Sequence, residues 1–308
     1  LFSLLKKEKS MRMGVGISFN PQGFSFAVVR GAGEGVQLIT QGLVDCGPEA
    51  VAAELAKLVR QLHLKGVPAV VALEPDDYSL FQIEAPEAPA EEMPLAIRWR
   101  VKDMLDYHLD DARLDYFLLP EGRRTGMPRM MYVVAARASE INPLADLVID
   151  SGLDLLALDI CELSLRNLFT TADKELPAPQ VLLFLGPRFS LIEIFRGGVL
   201  YLSRRIKLLS SDLAPSQGMI PSDPMEAIVL EIQRSMDYCE NQFNIPPVGR
   251  INLVCPDALR GGIADYCEEN LTTPVGPLVP HQLEGAEALS GDRMIQLLPV
   301  MGAARRAI

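Results

Sequence analysis

At 308 residues, with 49% hydrophobic and 22% charged positions, the chain has the composition of a globular protein with a large core and room for more than one domain. Its formal charge of −11 excludes a general phosphate-backbone binder, so nucleic acid is not an expected partner. The longest apolar run, "VLLFLG", falls far short of the ~20 residues that a membrane helix needs.

Residues 1–11 ("LFSLLKKEKSM") form a short apolar-then-basic piece that could brush an anionic membrane surface, but it offers little apolar burial and reads as a frayed tail. The run "MGVGISFNPQGFSFAVVR" (13–30) then predicts two strands joined by the turn Asn20-Pro21-Gln22-Gly23, and "GEGVQLITQGLVDC" continues the meander. Leu55, Leu58, Val59 and Leu62 recur at helical spacing between Pro48 and Gly66. "PAVVALEP" follows as a buried strand. The first 75 residues therefore read as β-β-β-α-β.

An excursion comes next, over residues 76–153. It contains the strand "YSLFQIEAP", a helix "PAEEMPLAIRWRVKDMLDYHL" (89–109), the strands "LDYFLLP" and "RMMYVVAA", and the helix "ASEINPLADLVIDSG". The strand "LDLLALDI" returns to the main body, and the helix "CELSLRNLFTTA" leads to a charged, proline-bearing linker, "DKELPAPQ" (173–180). The opening pattern then recurs: "VLLFLGPRFSLIEIFRGGVLYLSRRI" is a second β-β-β meander, with Gly186-Pro187 at its first turn. A long helix, the strand "INLVCP", the helix "GGIADYCEEN", the strand "PVGPLV" and a last helix "MIQLLPVMGAARR" complete the half. Two such halves imply an internal duplication with a cleft between two lobes.

A duplicated meander with a glycine turn in each half resembles the actin/Hsp70 ATPase superfamily, and the inserted strand-helix-strand-strand-helix resembles its FtsA and PilM branch. Four stretches, in this order along the chain, are similar to PilM-like type IV pilus assembly proteins: "LAIRWRVKDMLDYHLDDARLDYFLLP", "YVVAARASEINPLADLVIDSGLDLLALDI", "EIQRSMDYCENQF" and "VMGAARRA". The wording "RWRVKDMLDYHLDDARLDYFLLP" is most like the members of mannose-sensitive haemagglutinin pilus systems. The resemblance implies an α/β, duplicated actin-like (ribonuclease H-like) fold. Its expected parts are a tail (1–11), a first lobe (12–75 and 154–176), an inserted subdomain (76–153) and a second lobe (177–308).

The resemblance also implies where a nucleotide would sit. The superfamily places an acid at the first strand of each meander to hold hydrated Mg²⁺, and small residues to cradle phosphates. Here the matching positions of the first loop are Gly14, Gly16 and Ser18, with Gly16 where the acid belongs, and no lysine follows. In the second loop Phe184 stands at the acid position before Gly186, and the adenosine loop reads Val254-Cys255-Pro256. The expectation is a degenerate site with no cofactor, no metal and no catalytic residue. The alternative is an ATPase that binds ATP and Mg²⁺ through substitute acids, with Asp45, Asp159 and Glu162 the nearest. A filament-forming actin-like protein is a third reading.

In the favoured reading the protein is a scaffold at the cytoplasmic face of the inner membrane. The family implies that it holds the N-terminal cytoplasmic tail of a PilN-like bitopic membrane protein, alongside other assembly-platform proteins. The groove would lie between the first lobe and the insert, walled by Trp99, Met104 and Tyr107 and by Tyr116, with Asp111 supplying negative charge. Trp99, the only tryptophan, lies off the helix's apolar stripe (Met93, Ile97, Val101, Met104, Leu105) and between Arg98 and Arg100. That is the composition of a binding anchor.

Other constellations carry less. His63, His108 and His281 are far apart and lack partners at ligand spacing, and the five cysteines (Cys46, Cys161, Cys239, Cys255, Cys267) show no metal-like pattern and read as reduced buried thiols. Gly14-x-Gly16 lacks the third glycine and following helix of a dinucleotide-binding loop. The paired cations Lys6-Lys7, Arg123-Arg124, Arg204-Arg205 and Arg305-Arg306 read as solvated.

Overall fold

A computed structural model describes residues 12–32, 35–122, 128–169, 178–215, 220–280, 283–286 and 289–308. The tail 1–11, most of the linker 173–180, Arg123-Arg124 and His281 lie outside these described residues.

The first half runs β1 (Arg12–Asn20), β2 (Gly23–Ala32), β3 (Gly35–Asp45), α1 (Val51–Gln61) and β4 (Pro68–Leu73). The insert contributes β5 (Tyr78–Glu84), α2 (Met93–Val101), β6 (Ala112–Leu118), β7 (Met130–Arg137) and α3 (Ala138–Asp150). Then come β8 (Asp154–Ile160) and α4 (Cys161–Arg166). The second half runs β9 (Gln180–Leu185), β10 (Ser190–Arg196), β11 (Val199–Ile206), α5 (Ser222–Phe243), β12 (Arg250–Val254), α6 (Asp257–Leu271), β13 (Val275–Pro277), β14 (Leu283–Glu284) and α7 (Gly291–Arg306).

Three sheets result, with strand orders β14-β3-β2-β1-β4-β8, β11-β10-β9-β12-β13 and β5-β7-β6. β1 to β3 and β9 to β11 each form an antiparallel meander. In both halves the first strand also pairs in parallel with the strand that follows a helix, β1 with β4 and β9 with β12. That is the duplication. At the first hairpin the Gln22 N–H donates to the Asn20 side chain, and Gly23 takes φ +131°, a conformation that disfavours any Cβ.

The period-2 alternation of each first strand divides the core into layers. Val15 and Ile17 of β1 face Leu55 and Val59 of α1 and Ile141 and Val148 of α3. Val181, Leu183 and Leu185 of β9 face α5 and α6, while Leu182 and Phe184 face the middle layer occupied by α4 and α7. The insert's sheet is two-sided as well. Met131 and Val133 pack under Ile97 and Val101 of α2, whereas Tyr132 turns toward the second lobe's core and Ala136 toward the first lobe's.

Several expectations are corrected. The last stretch does not belong wholly to the second lobe (177–308): β14 pairs with β3, and α7 lies over β1, β2 and β4 of the first sheet. α3, placed in the insert by its position in the chain, shares the core of α1, so the inserted sheet proper ends at Arg137. The helix expected over 89–109 ends at Val101, followed by a short 3-10 turn to Met104 and extended backbone at Leu105. Tertiary contacts override the helical pattern there. Asp106 pairs with Arg137, Tyr107 lies under the Arg137 guanidinium at 4.5 Å, and Asp111 accepts from Ser139 at the start of α3.

Candidate functional site

Gly14, Gly16 and Ser18 fall on one face of β1, and α7 crosses that face. A Cβ added at Gly16 would overlap the Val300 carbonyl, and one at Gly14 would meet the Ala304 carbonyl at 2.6 Å. α7 repeats the device on its other side, where Gly302 lies against the Ser164 carbonyl of α4. The Gly-x-Gly pair therefore admits a helix backbone. Ser18, the next residue on that face, is buried, and its Oγ donates to the Ala72 carbonyl at 2.7 Å.

The second loop is closed on itself. Phe184 is buried and stacks on Phe189 at 5.0 Å between ring centroids, with 8° between planes. The Gly186 N–H donates to the Phe189 carbonyl at 3.0 Å, and the Gly186 carbonyl accepts from the Ser210 N–H. The N–H that a phosphate would need is taken. Neither Gly16 nor Phe184 offers a side-chain carboxylate to a metal ion, so these two loops do not fit a hydrated Mg²⁺ with its triphosphate. The N-terminus of α7, near the expected adenosine loop, is also filled: both carboxylate oxygens of Asp257 accept from Gly291 N–H at 3.1 Å.

A cavity of about 410 Å³ remains between the lobes. Ser18, Ser25, Asn20, Leu43 and Asp45 line it from the first sheet, Phe184 and Phe189 from the second, and Ile295, Gln296 and Pro299 from α7. Its charged lining consists of Asp45, Glu74 and Arg188, and Arg188 is ion-paired with Glu74 across the cleft. A polyanion would meet one cation, already neutralised.

The three substitute acids sit in different surroundings. Asp45 stands exposed on the cavity rim at the end of β3. Asp159 is buried, pairs with Arg306 at 2.8 Å, and burial pushes its carboxyl above the usual range. Glu162 is fully buried at the start of α4, accepts from the Tyr78 hydroxyl, and lies 3.7 Å from Arg205. Burial raises its pKa too, against the pull of Arg205. Among the described residues, no group of three or more His, Cys, Asp or Glu side chains has the geometry of a metal site.

The expected partner residues do not converge on a groove facing the first lobe. Tyr116 packs beneath α2 with Phe81, Ile83 and Leu114, on the sheet face opposite the one that meets the lobes. Tyr107 is covered by Arg137, and Asp111 accepts from both the N–H and Oγ of Ser139, which hold its carboxyl below the usual range. Trp99 and Met104 are exposed, Trp99 at 62%, and together with Leu95 they leave large apolar side chains of the insert in solvent. Lys102 lies over the Trp99 ring at 5.6 Å.

One cluster, with a buried acid and an exposed arginine, was not anticipated. Tyr78 of β5, Glu162 of α4 and Arg205 of β11 join the insert, the first lobe and the second lobe, and Arg205 also donates to the Pro75 carbonyl at 2.6 Å. Glu193 of β10 belongs to the same layer, fully buried between Leu182 and Ser203 on its neighbouring strands. Burial, and then the charge of Glu162, push its carboxyl well above the usual range. The signal in the sequence was a lone acid in the apolar strand "SLIEIFR". Of the cation pairs Arg204-Arg205 and Arg305-Arg306, read as solvated, Arg205 and Arg306 are exposed, but they also reach buried acids: Arg204 pairs with Glu231, Arg205 with Glu162 and Arg306 with Asp159.

No protein-family model and no curated protein sequence matches the chain. Solved structures do. One described as a PilM-PilN type IV pilus biogenesis complex aligns with a TM-score of 0.68 at 18% identity, over 97% of this chain and 99% of that one. Another is a protein of unknown function with an actin-like ATPase fold from Bacteroides thetaiotaomicron. It aligns with a TM-score of 0.52 at 10% identity, over 98% and 99% of the two chains. The fold is the duplicated actin-like α/β fold. Among the described residues, no helix is long and apolar enough to cross a membrane.

Proposed function

We propose that this protein is a non-catalytic scaffold in the assembly platform of a type IV-like pilus, of the MshI kind found in mannose-sensitive haemagglutinin systems. In this reading it sits at the cytoplasmic face of the inner membrane and docks the N-terminal cytoplasmic tail of a PilN-like bitopic protein, using no nucleotide and no metal. The observation that carries the partner class is the whole-length likeness to a protein solved as a PilM-PilN complex. The ordered motifs of the insert add to it.

Two features of the molecule support the rest. The cleft has a neutral first loop, a phenyl ring at the second acid position and a self-bonded glycine turn, which favours a structural over a catalytic role. The insert presents Leu95, Trp99 and Met104 to solvent, and an exposed tryptophan beside aliphatic side chains is the composition of an interaction hot spot. The docking surface is thus the outer face of α2 rather than a groove against the first lobe.

Calorimetric titration of the N-terminal tail peptide of a PilN-like bitopic protein from the same organism tests this. Binding that weakens by about 1–2 kcal/mol in Trp99→Ala, with an unchanged unfolding transition, is the expected result. Equal affinity of both proteins would remove α2 as the docking surface, and no binding at all would remove the scaffold reading.

A further inference from the structure

The geometry points to a second docking site, separate from the α2 surface: the outer edge of β3 from Thr40 to Asp45, with the cleft behind it, takes an extended peptide. The peptide adds a strand to the sheet, places an apolar side chain in the cavity past Leu43, and brings a basic residue to Asp45.

Four observations meet here. First, β3 has eleven residues, yet among the described residues β14 covers it only at Val36 and Gln37. β14 pairs in parallel, so this edge already accepts an added strand from its own chain. Second, the remaining edge is poorly guarded. Sheet edges are usually blunted by lysine, proline or a bulge. The bulge here falls at Ile39, where the register with β2 shifts between Val28 and Val29. Below it Thr40, Gln41, Gly42, Leu43, Val44 and Asp45 pair regularly with β2, none is a lysine, arginine or proline, and Arg293 of α7 reaches only the Gln41 side chain, at 3.2 Å, leaving Gly42 to Asp45 without such a guard among the described residues.

Third, the edge opens on a built cavity. Leu43, Val44 and Asp45 line the space of about 410 Å³, whose apolar wall is formed by the stacked Phe184 and Phe189 rings with Ile295 and Pro299. Leu43 is 41% exposed at its mouth, an unusual position for a leucine beside an open strand. Fourth, the charge suits a basic visitor. With Arg188 tied to Glu74, the lining keeps one uncompensated acid, Asp45, on a chain whose net charge is −11. Strand addition draws affinity from backbone pairing and specificity from alternate side chains, and a cavity behind alternate positions supplies that specificity. A nucleotide is disfavoured by the same charges, and a chain of alternating apolar and polar residues ending in lysine is favoured.

The test uses the full chain and three synthetic peptides. One alternates valine and threonine around a central phenylalanine and ends in lysine. The second replaces the residue beside the phenylalanine with proline, and the third replaces the lysine with glutamate. Calorimetry measures binding, and backbone hydrogen exchange reports on β3. The first peptide is expected to bind saturably and protect the amides of residues 40–45. The proline peptide is expected to bind about tenfold or more weakly, because it cannot pair. The glutamate peptide should bind more weakly than the first, and Leu43→Ser should reduce affinity about fivefold by removing the apolar mouth. Trp99→Ala should bind the first peptide as the wild type does, which separates this site from the α2 surface. Several outcomes would overturn the proposal: no saturable binding, no protection of β3, or equal binding of the proline peptide, as for a ligand that only fills the cavity. Protection of residues 40–45 in the free protein that vanishes on dilution would also do so, since a second copy would then own the edge.

Discussion

β1 and β9 hold the same place in the two halves, each the first strand of a meander and each paired in parallel with a later strand. Their inward faces are filled in opposite ways. β1 presents Gly14 and Gly16, and the backbone of α7 rests on them. β9 presents Leu182 and Phe184, whose side chains reach toward the same helix from the other sheet. The middle layer is thus built from one bare face and one bulky face. The two loops expected as phosphate cradles flank this packing joint.

This contrast predicts an order of sensitivity. Gly16→Asp, which would restore an acid at the metal position, should be the most damaging change. Its Cβ overlaps the Val300 carbonyl and its charge would be buried, so a loss of about 4 kcal/mol or more is expected, read as a lowered denaturant midpoint or failure to fold. A midpoint close to the wild type would mean that α7 can move off β1. Phe184→Ala leaves a cavity in place of an overlap and should cost about 3–5 kcal/mol. If it costs under about 1 kcal/mol, the second face is not packed as described.

Glu193 gives a smaller effect of opposite sign. Below the ordinary glutamate value of 4.5, both folded and unfolded chains hold its proton, and the side chain carries no pH-linked penalty. Above that pH the unfolded chain releases the proton while the buried carboxyl keeps it, so folding loses up to about 1.4 kcal/mol per pH unit until the folded value is reached. Glu193→Gln should therefore stabilise the protein near pH 7, with the gain fading as the pH falls toward 4.5. A gain independent of pH would show that Glu193 is ionised in the native state.

The sequence carried the framework of this fold well. Alternating apolar runs, proline and glycine turns and the recurrence of the meander are local signals, and they mark most strands of the two large sheets. What it could not carry was non-local. "MIQLLPVMGAARR" is apolar on nearly every side, which announces a buried helix without saying which sheet it crosses. The placement of α7 over β1 is what decides whether Gly14-x-Gly16 cradles a phosphate or a helix. β14, with two residues, is too short to show any period. α2 ends early because Asp106, Tyr107 and Asp111 are engaged by Arg137 and Ser139, partners that lie a strand away. The cluster of Tyr78, Glu162 and Arg205 draws on three separate elements, and only folding brings it together.

In the proposed scaffold the cleft keeps the shape of a nucleotide site while its loops serve packing. Thermal unfolding with and without millimolar Mg-ATP tests it most directly, because any ligand that binds the native state alone raises the transition in proportion to its occupancy. No shift is expected, either in the wild type or in Asp159→Ala. A rise of several degrees in the wild type, lost in Asp159→Ala, would contradict the account and make the cleft a working nucleotide site with displaced ligands.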